Sequence, residues 1–341
     1  MALVFTKFLS LFHLAVVFGT VIMFGALGEI LTERSGNLNL GVPGIMYLGG
    51  IAGLAAPFMY ENVYCVNNAV TPNSVLCVVL ALSAAFVASA LGGLIYSFLT
   101  ITLRTNQNVT GLTLTIFGSG IANFFGGMLN KLAGGVGQVR VAVTSAAFLQ
   151  HSVALSGTST EDPRYAIFGY GWMTYVAIIV AVALWYFFNK TRKGLNLRAV
   201  GENPGTADAA GINVTRNKYL GTIIGAGISG LGGLYYTMDY VRGTWSNDGT
   251  IEALGWLAVA LVIFATWRPL NAIWGSYLFG MAYWCYLYLS ELFGLTAKTS
   301  ELFKMIPYVV TLVVLLFVSM RKRKEDQPPA HLGLPYFREE R

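Results

Sequence analysis

The stretch Gly169-Tyr-Gly-Trp-Met-Thr-Tyr-Val-Ala-Ile-Ile-Val-Ala-Val-Ala-Leu-Trp-Tyr-Phe-Phe-Asn189 contains no charged residue. A helix needs about 20 mostly apolar residues to cross the hydrocarbon core of a bilayer. This run supplies one such crossing, and the chain repeats the pattern on both sides of it. Asn62–Leu103, Thr105–Asn130, Tyr219–Met238, Ala253–Trp267, Pro269–Ser290 and Met305–Met320 are equally free of charge. The first of these holds a span near Val75–Thr100 behind a polar loop. Leu9–Ile30 and Gly44–Tyr60 complete the set, for about nine spans. Ala253–Trp267 is short for a full crossing, so it tilts little or is partly broken. Leu9–Ile30 is too long for a signal peptide and leads into no small-x-small cleavage site, so it reads as a true span.

Composition agrees. Of 341 residues, 55% are hydrophobic and 11% charged, where soluble domains carry about 25%. So few charges cannot cover a soluble globule, which excludes a soluble enzyme, a disordered chain and a fibre. The apolar runs are continuous rather than alternating, which excludes a membrane barrel. The fold class is therefore all-α, a polytopic transmembrane helix bundle.

Lys and Arg set the orientation. With the C-terminus inside, 15 of the 22 basic residues lie on the cytoplasmic side, among them Arg34, Arg104, Lys190, Arg198, Arg216, Lys218, Arg268 and the run Arg321–Lys324. The expectation is an N-terminus outside and a C-terminus inside, with a transmembrane domain over 1–320 and a basic cytoplasmic tail over 321–341. The net charge of +6 is thus a topology signal, and the tail suits anionic headgroups. No aromatic-laced basic domain favours nucleic acid.

Four motifs bear on function. Gly225-Ala-Gly-Ile-Ser-Gly230 fits the dinucleotide pattern but lies inside an apolar run. Gly221, Gly225, Ser229 and Gly233 recur every four residues instead, and form a stripe that lets another helix approach closely. No G-x-x-x-x-G-K-[ST] occurs, so any ATP site belongs to another subunit. The hydrophilic loop 190–218 contains a short helix: Asn203 caps it, Pro204 suits its first position and Gly211 stops it. On the residues alone it reads equally well as an ordinary surface helix or as a docking knob for a cytoplasmic partner. Finally, Gly36, Gly41, Pro43 and Gly44 interrupt the chain after the first span, either as a cytoplasmic turn, which Glu33 and Arg34 favour, or as a break that dips back into the bundle, which is the expectation taken here.

Charge inside the spans is nearly absent, which argues against a proton-driven carrier and for a neutral solute. Asn37, Asn39, Asn108 and Asn123 are candidates for the solute path, though amides in spans also bond helix to helix. Asp239, Arg242, Trp245, Asn247, Asp248 and Glu252 fall in an outer loop, either solvated or facing a partner. Cys65 and Cys77 flank a polar loop and either pair or stay free. Cys285 is a packing residue. His13, His151 and His331 have no partner at metal-ligand spacing.

Three stretches carry a resemblance. Leu27-Gly-Glu-Ile-Leu-Thr-Glu-Arg-Ser-Gly-Asn-Leu-Asn-Leu-Gly-Val-Pro-Gly44 resembles the opening of the permeases of nucleoside and simple-sugar ABC importers. Gly201-Glu-Asn-Pro-Gly-Thr-Ala-Asp-Ala-Ala-Gly-Ile-Asn-Val214 is similar to their cytoplasmic coupling segment, and Phe264-Ala-Thr-Trp-Arg-Pro-Leu-Asn-Ala-Ile-Trp-Gly275 to the joint between two late spans. The order is kept over roughly Leu9–Met320, within the wider branched-chain amino acid, ribose and nucleoside permease group. The resemblance implies a type II ABC importer-like bundle in a bacterial inner membrane. It implies alternating access, two cytoplasmic ATP-binding subunits, a second related permease chain and an extracytoplasmic solute-binding protein. Glu202, Asn203, Pro204, Ala209, Ala210 and Gly211 would then dock the ATPase. The permease itself performs no covalent chemistry and carries no cofactor or metal. Its solute is a nucleoside or a similar neutral molecule, with a simple sugar or a flavin as alternatives. A membrane-embedded transferase, or a passive channel, are the competing classes. The first would turn over lipid alone, and the second would pass solute without ATP.

Overall fold

A computed structural model describes residues 2–135, 139–150, 168–246 and 248–292, together with 305, 309, 312, 313, 316 and 327–337. His151 and Asn247, the basic run Arg321–Lys324 and most of Met305–Met320 lie outside the described residues. The described residues form helices and no strand.

In chain order α1 is Ala2–Glu33, α2 Val42–Phe58, α3 Ser74–Ser97, α4 Gln107–Leu132, α5 Ala142–Phe148 and α6 Trp172–Lys190. They are followed by α7 Arg192–Glu202, α8 Pro204–Ala209, α9 Val214–Tyr235, α10 Thr250–Phe264 and α11 Pro269–Leu292. Three helices run on through a wider π turn: α2 through Met59–Tyr64, α3 through Phe98–Thr102 and α9 through Tyr236–Tyr240. Among the described residues, five helical stretches are long and apolar enough to cross a membrane, namely Phe8–Glu33, Val42–Asn67, Ser74–Thr102, Gln107–Leu132 and Trp172–Lys190. At about 1.5 Å per residue, the 26 residues of Phe8–Glu33 exceed the ~30 Å hydrocarbon core.

Burial separates an inner layer from an outer one. The apolar window of α1 is 89% buried, and that of α2 78%, against 28% for α3 and 33% for α4. Phe18, Ile22, Met23, Phe24, Leu27 and Ile30 of α1 are sealed from solvent, with Phe58, Tyr235, Tyr236 and Phe279 among them. The outward faces of α3 and α4 expose Val79, Val87, Leu91, Ile116 and Phe124. An apolar exterior of this kind is what a bilayer solvates.

Helix α9 packs on α1, α2 and α3 along its small-residue stripe. A methyl at Gly28 of α1 would fall 2.2 Å from the Gly225 carbonyl oxygen, and Ser229 Oγ donates to the Gly25 carbonyl at 3.0 Å. Such contact needs hydrogen in place of Cβ on both helices.

Charge is not absent from the interior. Glu29, Glu33, Glu61, Lys218 and Asp239 are all buried. Most of the acids survive there because irregular chain folds back to supply donors. Asn39 serves Glu29, and the first amides of α5 serve Glu61 (Val143 N at 2.9 Å, Thr144 N at 3.2 Å). The outer-loop cluster is likewise dispersed: Asp239 and Trp245 are buried, not solvated. Cys65, Cys77 and Cys285 carry free thiols.

Candidate docking site

One end of the bundle collects the ends of α1, α3 and α6, the starts of α4, α9 and α11, all of α7 and α8, and the segment 327–337. Its central feature is the α7–α8 turn. Thr191 Oγ1 accepts from Gly194 N at 3.1 Å and starts α7, whose Leu197 and Val200 are buried. Asn203 then turns the chain in extended geometry (φ −151°, ψ 94°) and its Oδ1 accepts from Thr206 N at 3.0 Å. That bond satisfies a first-turn amide of α8 that has no partner within the helix. Pro204, with φ already helical and no N–H to lose, follows at the first position. Gly211 ends the element at φ +80°, with Ile212 N donating back to the Ala207 carbonyl at 3.0 Å.

The two faces of α8 differ. Pro204 and Ala207 are buried, and Ala207 packs in a small cluster with Val200 and Val214, flanked by Ile212 and Tyr336. Asn203, Thr206, Ala209, Ala210 and Gly211 are exposed on the other side. With so few residues of its own, α8 depends on its platform for rigidity.

That platform is the turn after α1 and the turn before α11. Gly201 lies against the Arg34 carbonyl, which a Cβ would approach to 2.3 Å. Arg34 Nε donates to the Trp267 carbonyl at 3.2 Å, and Trp267 Nε1 donates to the Glu33 carboxylate. Burial, reinforced by the neighbouring Arg198, holds the Arg34 guanidinium down at about 10. Thr266 and Trp267 sit at φ +52° and +55°. Two successive non-glycine residues in the left-handed region cost about 1–3 kcal/mol each, and the bonds to Glu33 and Arg34 hold them there.

The segment 327–337 straps the same surface. His331 N donates to the Gly201 carbonyl at 3.0 Å, Ala330 N to Glu202 Oε2 at 3.3 Å and Tyr336 Oη to Asp208 Oδ2 at 3.0 Å. The Arg104 guanidinium lies 4.4 Å above the Phe337 ring.

The four asparagines singled out for a solute path do not meet. Asn37 is buried and donates to Thr222 Oγ1 at 2.8 Å. Asn39 is buried too; its N and Nδ2 donate to the Glu29 carboxylate, and its Oδ1 accepts from Gly41 N at 2.9 Å. Asn108 and Asn123 sit on the exposed face of α4. The residues that brace the site and escaped the sequence reading are Glu29, Glu33 and Trp267. The i,i+4 spacing of the two glutamates was the available signal.

Residues 10–315 match the family model described as the permease component of the branched-chain amino acid transport system. A glucose ABC transporter permease protein of Haloferax volcanii, itself named as putative, is 33% identical, over 80% of this chain and 75% of the relative. The nucleoside ABC transporter permease protein NupC of Lactococcus lactis is 28% identical over 88% and 89%. The guanosine ABC transporter permease protein NupQ of Bacillus subtilis is 27% identical over 95% of both. A helical bundle with an apolar exterior, and a match that spans nearly all of it, make this chain a member of the branched-chain amino acid transport system permease family, a membrane-spanning permease subunit of an ABC importer.

Proposed function

We propose that the chain imports a nucleoside or a similar hydroxyl-rich neutral solute by alternating access, and that α8 is the knob gripped by a cytoplasmic ATP-binding subunit. The carrying observation is the two-sidedness of α8. Asn203, Thr206, Ala209 and Ala210 are exposed, while Pro204 and Ala207 are buried, Ala207 packs against Val200 of α7 and Val214 of α9, and Gly201 just before the turn lies against the Arg34 carbonyl after α1. A push on the exposed side is thus delivered to the long buried helices rather than absorbed by a loop. The basic residues gathered at this end, Arg34, Arg104, Arg198 and Arg268, favour its cytoplasmic placement, with the N-terminus outside and the tail 321–341 inside. A second related permease chain would cover exposed apolar surface such as that of α4, and an extracytoplasmic binding protein would deliver the solute at the opposite end.

The nucleoside reading rests on the two relatives named for nucleosides and guanosine, which match along most of their length. It no longer draws on a lack of interior charge. Glucose is the second reading, favoured by the Haloferax relative at 33% identity.

Ala209→Glu tests the docking role. The position is exposed, so the chain should fold as before, while a bulky charge blocks a knob from entering a groove. Co-purification of the ATP-binding subunits and uptake of radiolabelled guanosine should both be lost. Normal assembly and uptake in this variant would end the reading. Uptake of labelled glucose, undiminished by excess guanosine, would replace the solute but not the docking role.

A further inference from the structure

We propose that a phosphate group, presented by an anionic phospholipid or by a soluble phosphomonoester, binds in the cavity beneath the α8–α9 joint. The cavity measures about 490 Å³ and its lining includes Arg104, Asp208, Val214, Thr215, Lys218 and Tyr336.

Two independent observations point to an anion. The first is Lys218. Only 3% of this residue is exposed, it lines the cavity, and its ammonium makes no hydrogen bond or ion pair among the described residues. A buried ammonium without a counter-charge is costly, and proteins pair such groups. The second is the start of α9. Asn213 Oδ1 accepts from Arg216 N at 2.9 Å, so the Val214 and Thr215 amides are left as the unbonded donors of the first turn. They lie at the positive end of a 22-residue helix. The Thr215 hydroxyl and the Lys218 ammonium are three residues apart, hence on one helix face. Amides, a hydroxyl and a lysine around one cavity are the donors that a phosphate accepts from.

The remaining charges fit. Arg104, at φ +57°, turns the chain between α3 and α4 at the cavity wall. The one carboxylate in the lining, Asp208, already accepts from Tyr336 Oη. The cavity exceeds one phosphate ion, leaving room for the glycerol or ribose that a phosphate ester carries. A bound phosphate would tie α9 to the α3–α4 turn and to the strap at Tyr336, stiffening the mount of α8. Occupancy does not depend on which solute the bundle carries.

The test uses the purified full-length chain in phosphatidylcholine nanodiscs, with thermal unfolding as readout. One arm adds inorganic phosphate or guanosine monophosphate to the buffer. The other replaces part of the lipid with phosphatidylglycerol. A raised melting temperature in one arm supports the site and names the source. Lys218→Met, which keeps the apolar packing of the stem, should weaken the effect at least tenfold in ligand concentration, as loss of a charge-assisted bond does. Arg104→Gln, at an exposed position, should weaken it without threatening the fold. If neither arm raises the melting temperature, or both variants respond as the wild type does, the proposal is wrong.

Discussion

A methyl group added at Gly201 has no room. Its Cβ would lie 2.3 Å from the Arg34 carbonyl oxygen, 3.1 Å from the carbonyl carbon and 3.2 Å from Gly36 N. All three are backbone atoms, so no rotamer relieves the clash. Normal contact requires the end of α7 to retreat by about 1 Å, and Val200, fully buried beside it, opposes that movement. Overpacking of this kind costs about 1–3 kcal/mol. Because α8 begins at Pro204, three residues further on, the retreat also lifts α8 from its platform. Gly201→Ala should therefore lower the melting temperature of the purified chain. In the reconstituted importer it should lower the solute moved per ATP hydrolysed. Gly205→Ala is the matched control: its methyl would meet only Asn203 Oδ1, at 3.5 Å. Alanine's better helix propensity makes that change neutral or stabilising by up to about 1 kcal/mol. If Gly201→Ala matches the wild type in both stability and coupling, the platform mechanism is refuted.

Asn203→Ala should cost about 1 kcal/mol locally through loss of the cap, read as faster hydrogen exchange across 204–210 with the spans unaffected. Glu33→Ala should destabilise the chain by about 1–3 kcal/mol, because the buried Trp267 N–H loses its acceptor. Glu33→Gln should recover most of that, as seen by thermal unfolding. Burial and the nearby Lys218 press the His331 imidazole below its usual 6.5. The docked strap thus favours the neutral ring, is held fully above about pH 6.5 and loosens as the pH falls below that value. Limited proteolysis within 327–337 should quicken between pH 7.5 and 5.5. Protection that holds or increases on acidification would contradict this.

The apolar helices and the short helix α8 were legible because both are local. Charge-free runs announce their own helices, and Asn203, Pro204 and Gly211 each specify backbone geometry at their own position. The interior acids were not legible. Glu33 beside Arg34 reads as a wet turn, and its acceptor role depends on Trp267, 234 residues away in sequence. Lys218 looks like one of several basic loop residues until α9 begins at Val214 and carries it under α8. Asn37 and Asn39 belong to the same class. Nothing nearby in the sequence says that Asn37 bonds Thr222 or that Asn39 bonds Glu29. Long-range packing, rather than periodicity, assigns polar groups inside a membrane bundle their partners.

The orientation and grip of α8 are best tested together, with Ala209→Cys in a chain whose native cysteines are changed to alanine. In intact cells a membrane-impermeant maleimide should leave position 209 unlabelled, and in inverted vesicles a bifunctional thiol reagent should join it to a co-expressed ATP-binding subunit. Labelling from outside, or an accessible inner thiol that never joins the ATPase, would contradict the claim that this helix transmits the force of ATP binding.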